Sequence, residues 1–169
     1  MFTGRFGRSQ GFTFLEVLVV MMIMGILFAI AIPSFLTWVP KANLKAAVRD
    51  LKSNIALCKM MAITQNRDCV IEFQGDRYKI GEEEFPFSVE SGVTFGRPDG
   101  VDAIGSEGDP ETGVTFPGNK ATFKSTGRLT QWGTVYLQNN KERRAYALSI
   151  GIAGYVRVRQ YEGGSWKSL

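Results

Sequence analysis

The sequence predicts an α+β protein in which one long N-terminal helix, apolar in its first half and amphipathic in its second, packs on antiparallel β-sheets. Three observations predict it. Residues 17–32 hold no charged or strongly polar side chain, apolar residues recur at alternating steps of four and three over 44–62, and short β-type segments separated by turn residues fill the chain from Cys69 onward.

The apolar run is a membrane segment. Counted from 17 to 36, with Pro33 and Ser34 as interruptions, it supplies the roughly 20 residues that cross a bilayer core as a helix. Arg5 and Arg8 precede it, which by the positive-inside rule places the N-terminus in the cytoplasm. The residues after the run, Pro33-Ser34-Phe35-Leu36, do not make a small-residue cleavage site, so the segment is expected to be retained. Glu16, at the edge of an apolar helix, costs roughly 3 kcal/mol on insertion scales and needs a partner or an interfacial position.

Beyond Pro40 the stripe Leu44, Val48, Leu51, Ile55, Cys58 and Ala62 forms one helical face, with Lys41, Lys45, Arg49, Lys52 and Lys59 on the other side. A helix from Phe12 to about Gln65 would be roughly 80 Å long, so its second half must pack outside the membrane. Pro33 and Pro40 predict local loosening or kinking. Strands are expected at 69–73 and 77–80, flanking the hairpin residues Gln74-Gly75-Asp76, and loosely over 85–95. Others are expected at 113–116, 121–124, 133–138, 145–150 and 155–161, with 139–143 as a turn. About eight short strands in two sheets result. The stretch 97–113, rich in Gly, Asp and Glu, reads as an exposed, solvated loop.

Composition narrows the function. The chain has 169 residues and no histidine, which removes the commonest general base and transition-metal ligand. No nucleophile with a base, metal cluster or pocketed carboxylate pair is recognisable, so no catalytic residue, metal or cofactor is assigned. The formal charge is +4, and without Arg5 and Arg8 the 20 basic side chains fall to 18 against 16 acidic. Charge is unevenly spread: residues 76–111 carry 10 acidic and 3 basic side chains, whereas 112–169 carry 2 acidic and 9 basic. A polyanion partner would be sought in the C-terminal region. Cys58 and Cys69 fit neither a zinc ribbon nor a Cys-x-x-Cys redox site; they are one disulfide or two small core residues.

Gly11-Phe12-Thr13-Phe14-Leu15-Glu16 before an apolar helix resembles the processing signal of type IV prepilins and type II secretion pseudopilins. Gly25 and Pro33 also stand where such helices carry a Gly and a Pro. The resemblance implies a pilin-like fold, cleavage after Gly11 by a prepilin peptidase, N-methylation of Phe12, and an assembly role for Glu16. It divides the chain into a leader (1–11), a transmembrane half-helix (12–40), an amphipathic half-helix (41–66) and a periplasmic β-rich domain (67–169). Phe123-Lys124-Ser125-Thr126-Gly127-Arg128, Gly133-Thr134-Val135-Tyr136-Leu137, Ala147-Leu148-Ser149-Ile150 and Gly154-Tyr155-Val156-Arg157-Val158-Arg159 resemble the C-terminal half of the GspH/FimT family of minor pseudopilins and minor pilins. Residues 81–112 match no pattern.

The expected function is therefore structural: a single-pass inner-membrane subunit, its C-terminal domain periplasmic, that helps initiate or cap a type II secretion pseudopilus or type IV pilus. The resemblance implies other pilins, the peptidase, an inner-membrane platform and an assembly ATPase as partners, and no small-molecule substrate. The alternative is a FimT-like minor pilin that binds DNA through Arg157, Arg159, Arg143, Arg144, Lys124 and Arg128. Alternation puts Arg157 and Arg159 on one face of a strand. The family's DNA-binding members carry Gly-Arg-x-Arg here, and Tyr155 replaces the first Arg. Some pilin relatives bind calcium. Asp99, Asp102, Glu107, Asp109 and Glu111 offer oxygen ligands, without EF-hand spacing.

Overall fold

The computed structural model of the chain describes residues 12–87, 91–104, 112–139, 144–162 and 164–169, and all of their side chains except those of Leu36 and Thr37. The chain divides into two compact units, Met1–Trp38 and Val39–Leu169.

Helix α1 spans Phe14–Thr64. It runs through Pro33 and Pro40 without a break, because each proline removes a single donor and the flanking turns keep theirs. In the first unit the described large apolar side chains, from Phe14 to Trp38, are exposed. That exposure is expected of a helix long and apolar enough to cross a membrane.

In the second unit all six stripe residues, Leu44, Val48, Leu51, Ile55, Cys58 and Ala62, are buried at 4% exposure or less and join one core with both sheets. A four-stranded sheet is built from β1 (Cys69–Gln74), β2 (Arg77–Ile80), β3 (Glu83–Pro86) and β5 (Lys120–Phe123), in the order β3-β2-β1-β5. A five-stranded sheet contains β4 (Val93–Phe95), β6 (Gly133–Asn139), β7 (Arg144–Ile150), β8 (Val156–Glu162) and β9 (Ser165–Ser168), in the order β4-β6-β7-β8-β9. Every pairing is antiparallel. This is the α+β, pilin-like layout that the sequence predicts.

Register follows alternation. Ile71 stands opposite Ile80 and Ala121, and Phe73 opposite Tyr78, on the buried face of the first sheet. On the other face Glu72 pairs with Lys120. An aromatic seam closes the two sheets on each other: the Phe73 ring lies 5.5 Å from that of Phe95 and 6.0 Å from that of Phe116, and Phe87 lies 5.1 Å from Phe95.

The strand pattern departs from expectation in three places. The stretch 113–116 is reduced to one bridge, Val114 to Val135, because β4 already occupies the same edge of β6 opposite 137–139. The 85–95 stretch holds two strands belonging to different sheets, β3 and β4. Strand β9 was not expected. The segment 97–104 is also not the free loop its composition suggested. Val101 is buried, the Ile104 amide donates to the Tyr136 hydroxyl (2.8 Å), Trp166 Nε1 donates to the Asp102 carbonyl (2.9 Å), and the Arg97 guanidinium lies 5.2 Å above the Tyr136 ring. Distant aromatic side chains hold it against the outer face of the five-stranded sheet, and no local periodicity records that. The expected turn residues 140–143, and Glu107, Asp109 and Glu111 of the acidic segment, lie outside the described residues.

Candidate assembly interface

Phe12 and Thr13 precede α1, and Thr13 caps it. Its hydroxyl accepts the Glu16 amide (3.2 Å), and its carbonyl accepts the amides of Glu16 (3.1 Å) and Val17 (3.2 Å). Thr13-x-x-Glu16 has the spacing of a capping box, with a carboxylate in the first turn where the helix dipole favours it. That signal was present in the sequence and gives Thr13 a role that the sequence reading missed. The Glu16 carboxylate makes no hydrogen bond or ion pair among the described residues. It stands on the same apolar side of the chain as Phe12, Val20, Met24 and Phe28, beside Gly25, where an added Cβ would meet nothing within 4 Å. Gly11 lies outside the described residues.

The amphipathic half of α1 is fastened to the sheets at several points. Cys58 and Cys69 are joined by a disulfide, with Cα atoms 5.8 Å apart, tying the helix to the start of β1. Asn54 Nδ2 donates to the Tyr78 hydroxyl (2.7 Å); burial pushes that hydroxyl's pKa up, and the Asn54 bond opposes the shift. Lys59 Nζ donates to the Ala153 carbonyl (2.9 Å) in the β7–β8 turn. Its stem passes over Gly127 and Gly154, two glycines of the sequence patterns noted above. A Cβ on Gly154 would fall 2.9 Å from Lys59 Cδ and 3.0 Å from the Gly127 carbonyl oxygen, and one on Gly127 would fall 2.7 Å from Ile63 Cδ1.

Of the basic residues singled out for DNA, the described ones stand on β8, after β5 and at the start of β7. Arg157 and Arg159 face away from Val156 and Val158, which pack on the core. The Arg157 guanidinium lies 5.2 Å over the Tyr155 ring, and Arg159 Nη1 donates to Ser149 Oγ (3.4 Å). Lys124 is ion-paired with Asp68 at 2.6 Å. Arg128 is exposed in the turn after β5. Arg144 begins β7, at the opposite end of that strand from Ser149. Arg143 lies outside the described residues. Among the described residues no cluster of three or more metal-ligating side chains occurs.

Comparison with known families matches two profiles. The prokaryotic N-terminal methylation motif covers residues 7–32, and type II transport protein GspH covers residues 47–154, more than half of the chain. The chain belongs to the GspH family. GspH proteins are structural pseudopilins rather than enzymes, and the methylation motif with the apolar helix makes this one a membrane-anchored, pilin-like subunit that works with other pseudopilins. No curated protein and no solved structure matches the chain. The GspH match begins within the buried helical stripe and ends at Gly154, so it encloses the disulfide, Lys59 and both glycines that Lys59 crosses. Arg157 and Arg159 lie beyond it.

Proposed function

We propose that this GspH protein is a minor pseudopilin that helps initiate or cap a type II secretion pseudopilus. In this reading residues 1–11 are a cytoplasmic leader, 12–40 the transmembrane half of the helix, 41–66 its amphipathic half and 67–169 a periplasmic domain. A prepilin peptidase cuts after Gly11 and methylates the Phe12 amine. The observation that carries the reading is the Glu16 carboxylate, without a partner among the described residues, beside Phe12 at the edge of a half-helix whose described large apolar side chains are exposed. Lipid can cover the apolar side chains, but the carboxylate requires a cation, and the new α-amine of a neighbouring subunit supplies one. Two unit charges at about 4 Å attract by about 4 kcal/mol at an effective dielectric of 20, before desolvation is subtracted. The pairing therefore sets axial register more than it adds stability. Once outside the membrane, the domain meets an assembly platform and other minor subunits.

Two substitutions test the reading. Gly11→Val should leave the full-length precursor in membranes, read by intact mass; equal processing of mutant and wild type would overturn it. Glu16→Val should insert and be processed normally, since it makes the helix more apolar, yet crosslink less to other subunits. Unchanged crosslinking would remove the role of Glu16.

A further inference from the structure

The order of the four-stranded sheet leaves β3 at one end, and no strand pairs with its outer side among the described residues. Register fixes what that side offers. Ile80 and Glu83 close the two-residue turn Gly81-Glu82, so Glu83 and Phe85 are the residues that exchange backbone bonds with β2. The Glu84 amide, the Glu84 carbonyl and the Pro86 carbonyl therefore point outward. Pro86, with no N–H to leave unpaired, falls on the outward register, where an edge strand tolerates it.

Beside this edge lies a cleft of about 670 Å³, with the Tyr78–Phe85 ring stack (5.2 Å) on one side and the α1 flank of Ala46, Asp50 and Ser53 on the other. All three flank residues are exposed and short, which leaves room over the helix for the side chains of one more strand. Two carboxylates line the cleft, and among the described residues no basic side chain does. Glu84 is engaged by Lys79 and Arg77. Asp50 has no hydrogen bond or ion pair among the described residues. Glu82 and Glu83, exposed at the turn and likewise without a partner among the described residues, add to the negative charge.

We propose that this edge and cleft take up an extended segment of a different subunit, in which a lysine or arginine alternates with apolar side chains. The inference rests on the subunit reading above. The segment pairs with the outward groups of β3, and every second side chain turns toward the cleft. An apolar one lies against the Tyr78–Phe85 stack and Ala46, and the cation reaches Asp50. Backbone bonds hold such a strand, and the alternate side chains select it. The acidic edge also excludes: the β3 edge of a second copy, with Glu82, Glu83 and Glu84, would meet like charge, and so would a nucleic acid. The contact is thus made once, to an unlike partner, which suits a subunit that starts or ends a filament.

The test titrates full-length 15N-labelled protein in detergent micelles with end-blocked peptides Thr-Val-Thr-X-Thr-Val-Thr, X being lysine or glutamate. The lysine peptide should shift the Glu84 amide resonance and bind about threefold or more tightly than the glutamate peptide, and Asp50→Lys should reverse that order. Methylating alternate backbone nitrogens of the lysine peptide should abolish binding in one phase and spare it in the other, since only one edge of the peptide pairs. Glu84→Pro, which removes an outward N–H and an exposed ion pair, should weaken binding while thermal unfolding shows the fold retained. Equal binding of the two peptides, an order unmoved by Asp50→Lys, or no binding at all would overturn the proposal. So would equal binding of both methylated peptides, which would mean charge attraction without strand pairing, or lysine amide alone binding as tightly as the lysine peptide, which would mean a small-molecule cation pocket. Leader removal, read by intact mass of membrane-extracted protein, reports separately on the subunit reading.

Discussion

Lys59 lies across two glycines that the sequence patterns contain but do not explain. Its stem needs the space that a Cβ on Gly154 would take, and Gly154 also has φ +74°, a conformation that costs a non-glycine residue roughly 1–2 kcal/mol. Gly154→Ala is therefore expected to destabilise the protein by about 1–3 kcal/mol, measured as a shift in urea midpoint. Adding Lys59→Ala should recover only part of that loss, because it frees space but leaves the backbone strained; full recovery would mean that crowding alone matters. At this scale the sequence was unevenly legible. Thr13 and Glu16 carry their capping signal in their spacing. Trp166 packs on its hairpin neighbour Tyr161, but its bond to Asp102 and its place 5.7 Å from the Tyr136 ring have no local signal, because those two partners lie 30 or more residues away.

Helix α1 and the central strands were legible for a reason that the peripheral ones lacked. A stripe repeating every three or four residues over five turns needs no tertiary information, and the hairpin of β1 and β2 is written in alternation around Gly75. β6 and β7 are largely buried on both faces, with Tyr136 and Ala147 covered on the outer one beside Thr134 and Ser149. Strand β9 has four residues, one of them half-buried, too few to show a period. The segment 113–116 looks like a strand and is one bridge long, because availability of an edge, not local preference, decides pairing. Between the two most legible elements, α1 and β1, lies the Cys58–Cys69 bond. With 11 residues of separation, it should contribute about 3 kcal/mol through the unfolded chain's lost entropy. Reductant should lower the urea midpoint of the wild-type protein accordingly and leave a Cys58→Ala/Cys69→Ala variant unmoved; equal midpoints with and without reductant would remove that contribution.

The unit Val39–Leu169 contains its own core, and this predicts where the protein can be cut. A fragment starting at Lys41 keeps the buried stripe and is expected to be soluble and to unfold in one cooperative transition. A fragment starting at Arg67 uncovers the sheet surfaces beneath Leu44, Val48, Leu51 and Ile55, at about 1.5–3 kcal/mol for each large side chain. Against a total stability of about 5–15 kcal/mol, that loss should leave it unfolded or aggregated, and a sharp thermal transition from it would show that the helix is not part of the core. The disulfide has a further, mechanical consequence. Tension applied at the N-terminal end would peel the helix from the domain one side chain at a time, Leu44 first and then Val48, Leu51 and Ile55. At Cys58 the peeling front meets a covalent crosslink, and the load passes into β1 in the middle of the four-stranded sheet. The bond thus acts as a stop. With the protein held at residue 12 and at its C-terminus, single-molecule extension should show an early, low-force release that ends at Cys58 when the bond is intact and runs on through Thr64 when it is reduced.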